Sequence, residues 1–240
     1  MSSVFKRGWI NLSIHMGLDS FTHYINAMEN FLDNQLKELE EQYIEETKNV
    51  PPEVAENIFE YQYEDQFYYY QDEFPNILRK SFIISLYSFL EQELIRICRH
   101  IEKNNSFEVR LDDIKDKGIF KCHEYLTEIA KIDFSTVNNE WEKIKKINKI
   151  RNHFVHNGSD ILDKVVKPKS NKERKINQTF RAFEYFKLAE EDKIYTKFRE
   201  SMNDKKILKY HVKITSEFCK EALNIIKSFF DKLTDLLKLY

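Results

Sequence analysis

Glycine and proline are scarce, each occurring four times in 240 residues. With so few chain breakers, folds built from short strands and tight hairpins are excluded and long helices remain. Cys98, Cys122 and Cys219 are far apart and form no CxxC pair, so neither a disulfide framework nor a zinc site is expected. No apolar run approaches the roughly 20 residues of a membrane span; the best, "FIISLYSFL", is interrupted by serines and a tyrosine. The first twenty residues lack the apolar core and small-residue cleavage site of a secretory leader. The expectation is a soluble, cytoplasmic, all-α protein with no membrane contact, metal or cofactor.

What is present is a 42% hydrophobic composition, enough for a substantial core, and 32% charged residues. The charge is unevenly placed. From Met1 to Pro75 fifteen carboxylates face four basic side chains, whereas from Lys143 to Lys175 eleven basic residues face three acidic ones. A basic segment of that kind is either the footprint of a polyanion or a solvated helix face followed by a lysine-rich loop. Lys145, Lys146, Lys149, Lys167, Lys169 and Lys172 are the candidate RNA-binding residues within it.

Apolar residues at steps of three to four predict a helix from Leu18 to about Thr47, with Asp19 or Ser20 as its cap and "NVPPE" as its stop. An acidic, tyrosine-rich helix follows, its aromatic side suited to packing or to a partner. Pro75 fits the first turn of a central helix through "SFIISLYSFLEQELIRICRHIEK". A loop, a helix over "IFKCHEYLTEIAKI" and a break at "DFSTVNNEW" come next. Trp141, Ile144, Ile147, Ile150 and Phe154 then mark a helix buried on one side, started by Ser135, Thr136 or Asn138 and ended by Gly158. "VVKPKSNKERKINQ" reads as an exposed basic loop, residues 179–214 as one or two short helices, and "ITSEFCKEALNIIKSFFDKL" as a closing helix. The expected organisation is one domain over 1–240, with 1–74 an acidic elaboration on a core of 75–240.

The chemistry concentrates in "KIRNHFVHNG". At about 100° per residue, Asn152 and His156 stack one turn apart with Arg151 at their flank, while Phe154 lies with the apolar stripe. A last-turn histidine sits near the negative end of the helix dipole, which favours imidazolium. Histidine can donate or accept a proton near neutrality, and arginine can hold a phosphate. That pairing suits phosphodiester cleavage in RNA; a helix-capping histidine beside a surface or salt-bridged arginine is the structural alternative. Glu91 and Glu93, which follow the apolar stripe of the central helix, are secondary candidates that could meet the Arg151 guanidinium.

"KIRNHFVHN", together with its helix–break–helix context over "KGIFKCHEYLTEIAKIDF" and the final helix, resembles the HEPN (higher eukaryotes and prokaryotes nucleotide-binding) superfamily. Its ribonuclease members carry arginine, a polar residue, and histidine four to six residues beyond the arginine. Arg151, Asn152 and His156 match. The resemblance implies a helical bundle that pairs as a homodimer around a shared cleft and acts as a metal-independent endoribonuclease, often a toxin or antiviral effector. By the same resemblance His156 is the acid/base, Arg151 binds the scissile phosphate and Asn152 orients one of them, with His153 a secondary candidate. An antitoxin or regulatory protein is a further implied partner. The alternative within the family is a noncatalytic dimerisation or nucleotide-binding module of a larger complex.

Overall fold

The computed structural model describes residues 3–201 and 207–238. It is 77% helical and 6% strand, so the class is all-α. The first helix, α1 (Ser3–Thr47), runs well upstream of the predicted start. Neither expected cap caps it: the Ser20 hydroxyl donates to the Met16 carbonyl, and Asp19 accepts from Lys227 at 2.7 Å. Ile14, Leu18, Ile25, Leu32 and Leu39 form its buried stripe.

After Pro51 the chain climbs back as α2 (Pro52–Ile58), a wide turn at Phe59–Tyr63, α3 (Glu64–Tyr68), a second wide turn at Tyr69–Glu73, and α4 (Phe74–Asn104). Pro75 lies in the first turn of α4, as expected, but the chain enters that turn from a wide helical turn and not from a loop. Proline lacks an N–H and crowds the carbonyl four residues back; here the preceding turn is a π-turn, with Phe74 N–H bonded to the Tyr69 carbonyl, and the helix continues through it. The acidic, aromatic segment packs on the outer part of α1 through Tyr43, Phe59, Tyr63 and Phe67.

The bundle proper is α4, α5 (Ile119–Glu124), α6 (Asn138–Asn157), α7 (Asn171–Tyr185) and α9 (Ser216–Leu236), with α8 (Lys193–Ser201) at the side. Leu86, Leu90, Leu94 and Ile97 place α4 in the middle, against Ile226, Phe229, Phe230 and Leu233 of α9 within one contiguous core. Gly17 lets α1 approach α4: a Cβ there would stand 2.5 Å from the Phe89 ring. Among the described residues no helix is long and apolar enough to cross a membrane.

A small antiparallel sheet, absent from the sequence reading, joins β1 (Ile161–Val165), β3 (Ile207–Val212) and β2 (Ala189–Glu191) in the order β1-β3-β2. Leu162 pairs with Tyr210 and Asp163 with Lys209. The expected basic loop is thus corrected in part: Val165 ends β1, residues 166–170 are irregular as expected, and from Asn171 onward the segment is α7. Ser170 accepts from Glu173 N–H while the Glu173 carboxylate accepts from Ser170 N–H, a capping box that starts α7. The Asn177 side chain then donates to the Val165 carbonyl at 2.7 Å and accepts from its N–H at 2.8 Å, fastening the strand to the helix.

One buried ion pair ties the N-terminal arm to the bundle. Arg79 donates from Nε and Nη2 to the two oxygens of Glu29, at 2.8 and 2.7 Å, and from Nη1 to the Ile214 carbonyl ahead of α9. Removing one partner leaves a charge without compensation, so Glu29→Gln is expected to cost about 2–4 kcal/mol. Chemical denaturation followed by circular dichroism measures it; an unchanged midpoint would contradict the role given to this pair.

Candidate functional site

α6 presents two different surfaces. Trp141, Ile144, Ile147, Ile150 and Phe154 are buried against α4, α7 and α9, which fixes the rotation of the helix and turns Arg151, Asn152 and His156 away from the core. The helix begins without a side-chain cap: its N-cap is Val137, not Ser135, Thr136 or Asn138, and a short turn held by Asp133 precedes it. It ends as predicted at Gly158, whose φ of +59° is left-handed.

Arg151 is half-buried. Its guanidinium lies over the ring of Tyr87 on α4, 5.1 Å from the centroid, a cation–π contact. Its Nη1 donates to Asn152 Oδ1 at 2.9 Å, and Asn152 Nδ2 donates to Asn148 Oδ1 at 3.0 Å. Among the described residues Arg151 forms no ion pair, and its buried Nε has no hydrogen-bond partner. The result is an arginine oriented by an aromatic face and an amide, with charge left over for an anion. Tyr87 is itself buried; burial, and then Glu91, push its phenol well above the ordinary range, so it serves as a neutral platform.

Glu91 stands one turn along α4 from Tyr87 and packs on Gly118, where a Cβ would come within 3.2 Å of its Oε1. Glu93 is engaged by Arg96. Neither carboxylate forms an ion pair with Arg151 among the described residues. Asn148 and Tyr87 were missed in the sequence reading. Asn148 is signalled by its i, i+4 spacing to Asn152; Tyr87 reads only as core.

The two histidines of the motif have separate fates. His156 is exposed, one turn beyond Asn152. His153 is only 6% exposed, and its ring meets Phe183 edge-on at 5.2 Å. Its Nε2 lies 2.8 Å from the Ser159 carbonyl, which can only accept, so Nε2 carries the proton and Nδ1 accepts from Asn157 Nδ2. Burial holds its pKa below the usual 6.5. His153 therefore braces the end of α6 rather than serving a ligand. The turn is latched to α4 as well: Asp160 takes Lys80 and, at 3.0 Å, the Asn76 amide.

The candidate RNA-binding lysines divide likewise. Lys145 pairs with Glu142, Lys146 sits 4.5 Å over the Tyr185 ring, and Lys149 donates to Gln178 at 3.2 Å. Lys167 and Lys169 are exposed in the turn before α7, and Lys172 lies in the first turn of α7. All three cysteines are buried thiols, and among the described residues no three His, Cys, Asp or Glu side chains gather as a metal site.

Gly158→Ala forces a Cβ into left-handed backbone and is expected to cost about 1–2 kcal/mol, read as a lowered denaturation midpoint. A pH effect follows from His153. Its folded pKa is depressed, so below about 6.5 the unfolded chain binds the extra proton. Stability is greatest above that pH and falls as pH drops toward the folded value. Thermal unfolding at pH 7.5 and 5.5 is expected to show a smaller loss for His153→Gln than for the unaltered chain; equal losses would remove His153 from this account.

No family model, no curated protein and no solved structure matches the chain.

Proposed function

We propose that the chain is a metal-independent endoribonuclease of HEPN type that cleaves RNA at a cleft shared by two copies, as a toxin or antiviral effector. The observation that supports it most directly is Arg151, held by Tyr87 and Asn152 with unpaired donor capacity, beside the exposed His156. In this reading the scissile phosphate lies on the Arg151 guanidinium. One His156 imidazole takes the proton from the 2′-hydroxyl, whose oxygen attacks phosphorus. The bond to the 5′-oxygen breaks, and that oxygen takes a proton from the second copy's imidazolium, leaving a cyclic phosphate and a free 5′-hydroxyl.

The pairing reading has its own support on α4. Between α1 and α6 this helix turns outward Ile77, Ser81, Ile84, Ser85, Ser88 and Ile95, a face without charge in a chain one-third charged. Exposed Trp9, Leu12, Met16 and Tyr24 of α1 extend its apolar character. Serines and isoleucines permit close approach of a second helix, and Arg151 stands at the edge of that face.

A noncatalytic interaction module is the second reading, favoured by the acidic helical hairpin and its exposed Tyr61, Tyr68 and Tyr69. The two are separated by substitution. His156→Ala and Arg151→Ala are expected to lower RNA cleavage by at least about 10²-fold and to relieve growth arrest in cells, while the purified chain stays folded and dimeric. Wild-type protein that cleaves no RNA, is monomeric, and depends in cells on Tyr68, Tyr69 and Tyr70 instead would overturn the nuclease reading.

A further inference from the structure

We propose that a second phosphate subsite, built on Lys172 and Lys175, lies on the far flank of His156 and holds the single-stranded RNA away from the bond that is cut. This deepens the nuclease reading and rests on it for the identity of the strand. The site is a cavity of about 300 Å³ between the end of α6, β1 and the first turns of α7, lined by His153, Asn157, Ile161, Lys172, Lys175 and Ile176.

Charge identifies its ligand. Lys172 and Lys175 are three residues apart on α7, so their side chains share one face. Among the described residues neither has a carboxylate partner, and two like charges side by side repel until an anion neutralises them. The acidic residue that also lines the cavity, Asp163, is occupied by Lys209 at 2.7 Å. His153 contributes no charge while its Nδ1 accepts from the Asn157 amide and its Nε2 donates to Ser159, and burial disfavours a second proton. Asn157 spends one amide proton on His153 Nδ1 and keeps the other for an incoming oxygen. Ile161 and Ile176 supply an apolar wall on which a base or ribose can rest.

Position identifies the strand. Measured around α6 from Arg151, Asn152 is near 100°, His156 near 140°, His153 near 200° and Asn157 near 240°, at about 100° per residue. His156 thus stands between the Arg151 surface and the cavity. A chain of phosphodiesters bound at both crosses the imidazole, with its reacting phosphate on one side and a neighbouring phosphate on the other. A free mononucleotide offers the same phosphate chemistry but occupies only one of the two places.

The test is equilibrium binding of a fluorescent 2′-O-methyl oligoribonucleotide, which lacks the attacking hydroxyl, to the full chain over a range of salt concentrations. Lys172→Ala/Lys175→Ala is expected to weaken binding about tenfold or more at low salt. It should also make the slope of log K against log salt shallower by about 1.4, two single-strand phosphate contacts at about 0.7 each. Arg174→Ala/Arg181→Ala removes the same charge from the opposite face of α7 and is expected to change affinity less than about threefold with the slope intact. Equal effects of the two pairs, or no effect of the lysine pair, would overturn the subsite. So would adenosine monophosphate binding that needs the lysines while the oligonucleotide slope does not. Cleavage is scored separately: a wild-type chain that cuts nothing yet shows the lysine-specific slope refutes the nuclease and keeps the subsite. A chain that cuts RNA with its slope unchanged by the lysine pair does the reverse.

Discussion

The burial of one narrow stripe on α6 governs the rest of the molecule. Ile144, Ile147 and Ile150 are almost fully excluded from solvent, and each contributes about 1.5–3 kcal/mol by leaving water. Rotating α6 by even one residue's worth of angle would bring Arg151 or Lys149 into the place of Ile150 and expose an isoleucine. The apolar stripe thus sets the direction of the polar one. Arg151 has no freedom to choose its neighbour; it lands on Tyr87 because α4 is the helix packed beside it, and the aromatic ring accepts the guanidinium face without demanding a carboxylate.

The end of α6 is secured from three sides. Gly158 turns the backbone, His153 reaches over that turn to the Ser159 carbonyl, and Asp160 holds Lys80 and Asn76 of α4. The chain then enters β1, which is sewn to α7 by Asn177. A residue in the last turn of a helix would ordinarily fray, yet His156 sits on a terminus fixed by buried and half-buried contacts. Its exposure and its fixed backbone go together: neighbours supply the rigidity, so the imidazole itself need make no contact.

Periodicity made the long helices legible. The stripes of α4, α6 and α9 and the glycine that ends α6 follow from apolar spacing and one left-handed position. The sheet was not legible, because β1 is five residues long and buries only Leu162 and Val165, while β3 is half-buried and has little alternation. Pro75 marked the first turn of α4, while the wide turn that leads into it left no sequence signal. α7 carried a readable signal, Ser170 and Glu173 in capping-box spacing, obscured by the density of lysines around it. In the site, the identities of Arg151, Asn152 and His156 come from the sequence, but the division of labour between His153 and His156 does not. Both lie near the helix end, and only the packing of Phe183 against one of them tells them apart.

That division bears on how many copies the proposed chemistry needs. Breaking a phosphodiester in line calls for a proton acceptor on one side of phosphorus and a donor on the other. Within one chain the candidates are few. His153 is buried with both nitrogens committed, and His123 is stacked on Trp141 at the start of α6, its pKa lowered by burial. His15 and His211 lie against Asp231 and Asp192 on other faces, and His100 against Asn104 at the far end of α4. Tyr87 touches Arg151, but its phenol is held too basic to give up a proton near neutrality. Among the described residues His156 is the exposed histidine that α6 itself carries next to Arg151 and Asn152. An uncharged face on α4 lies near that same arginine, so the proposed pairing and the proposed chemistry draw on neighbouring surfaces.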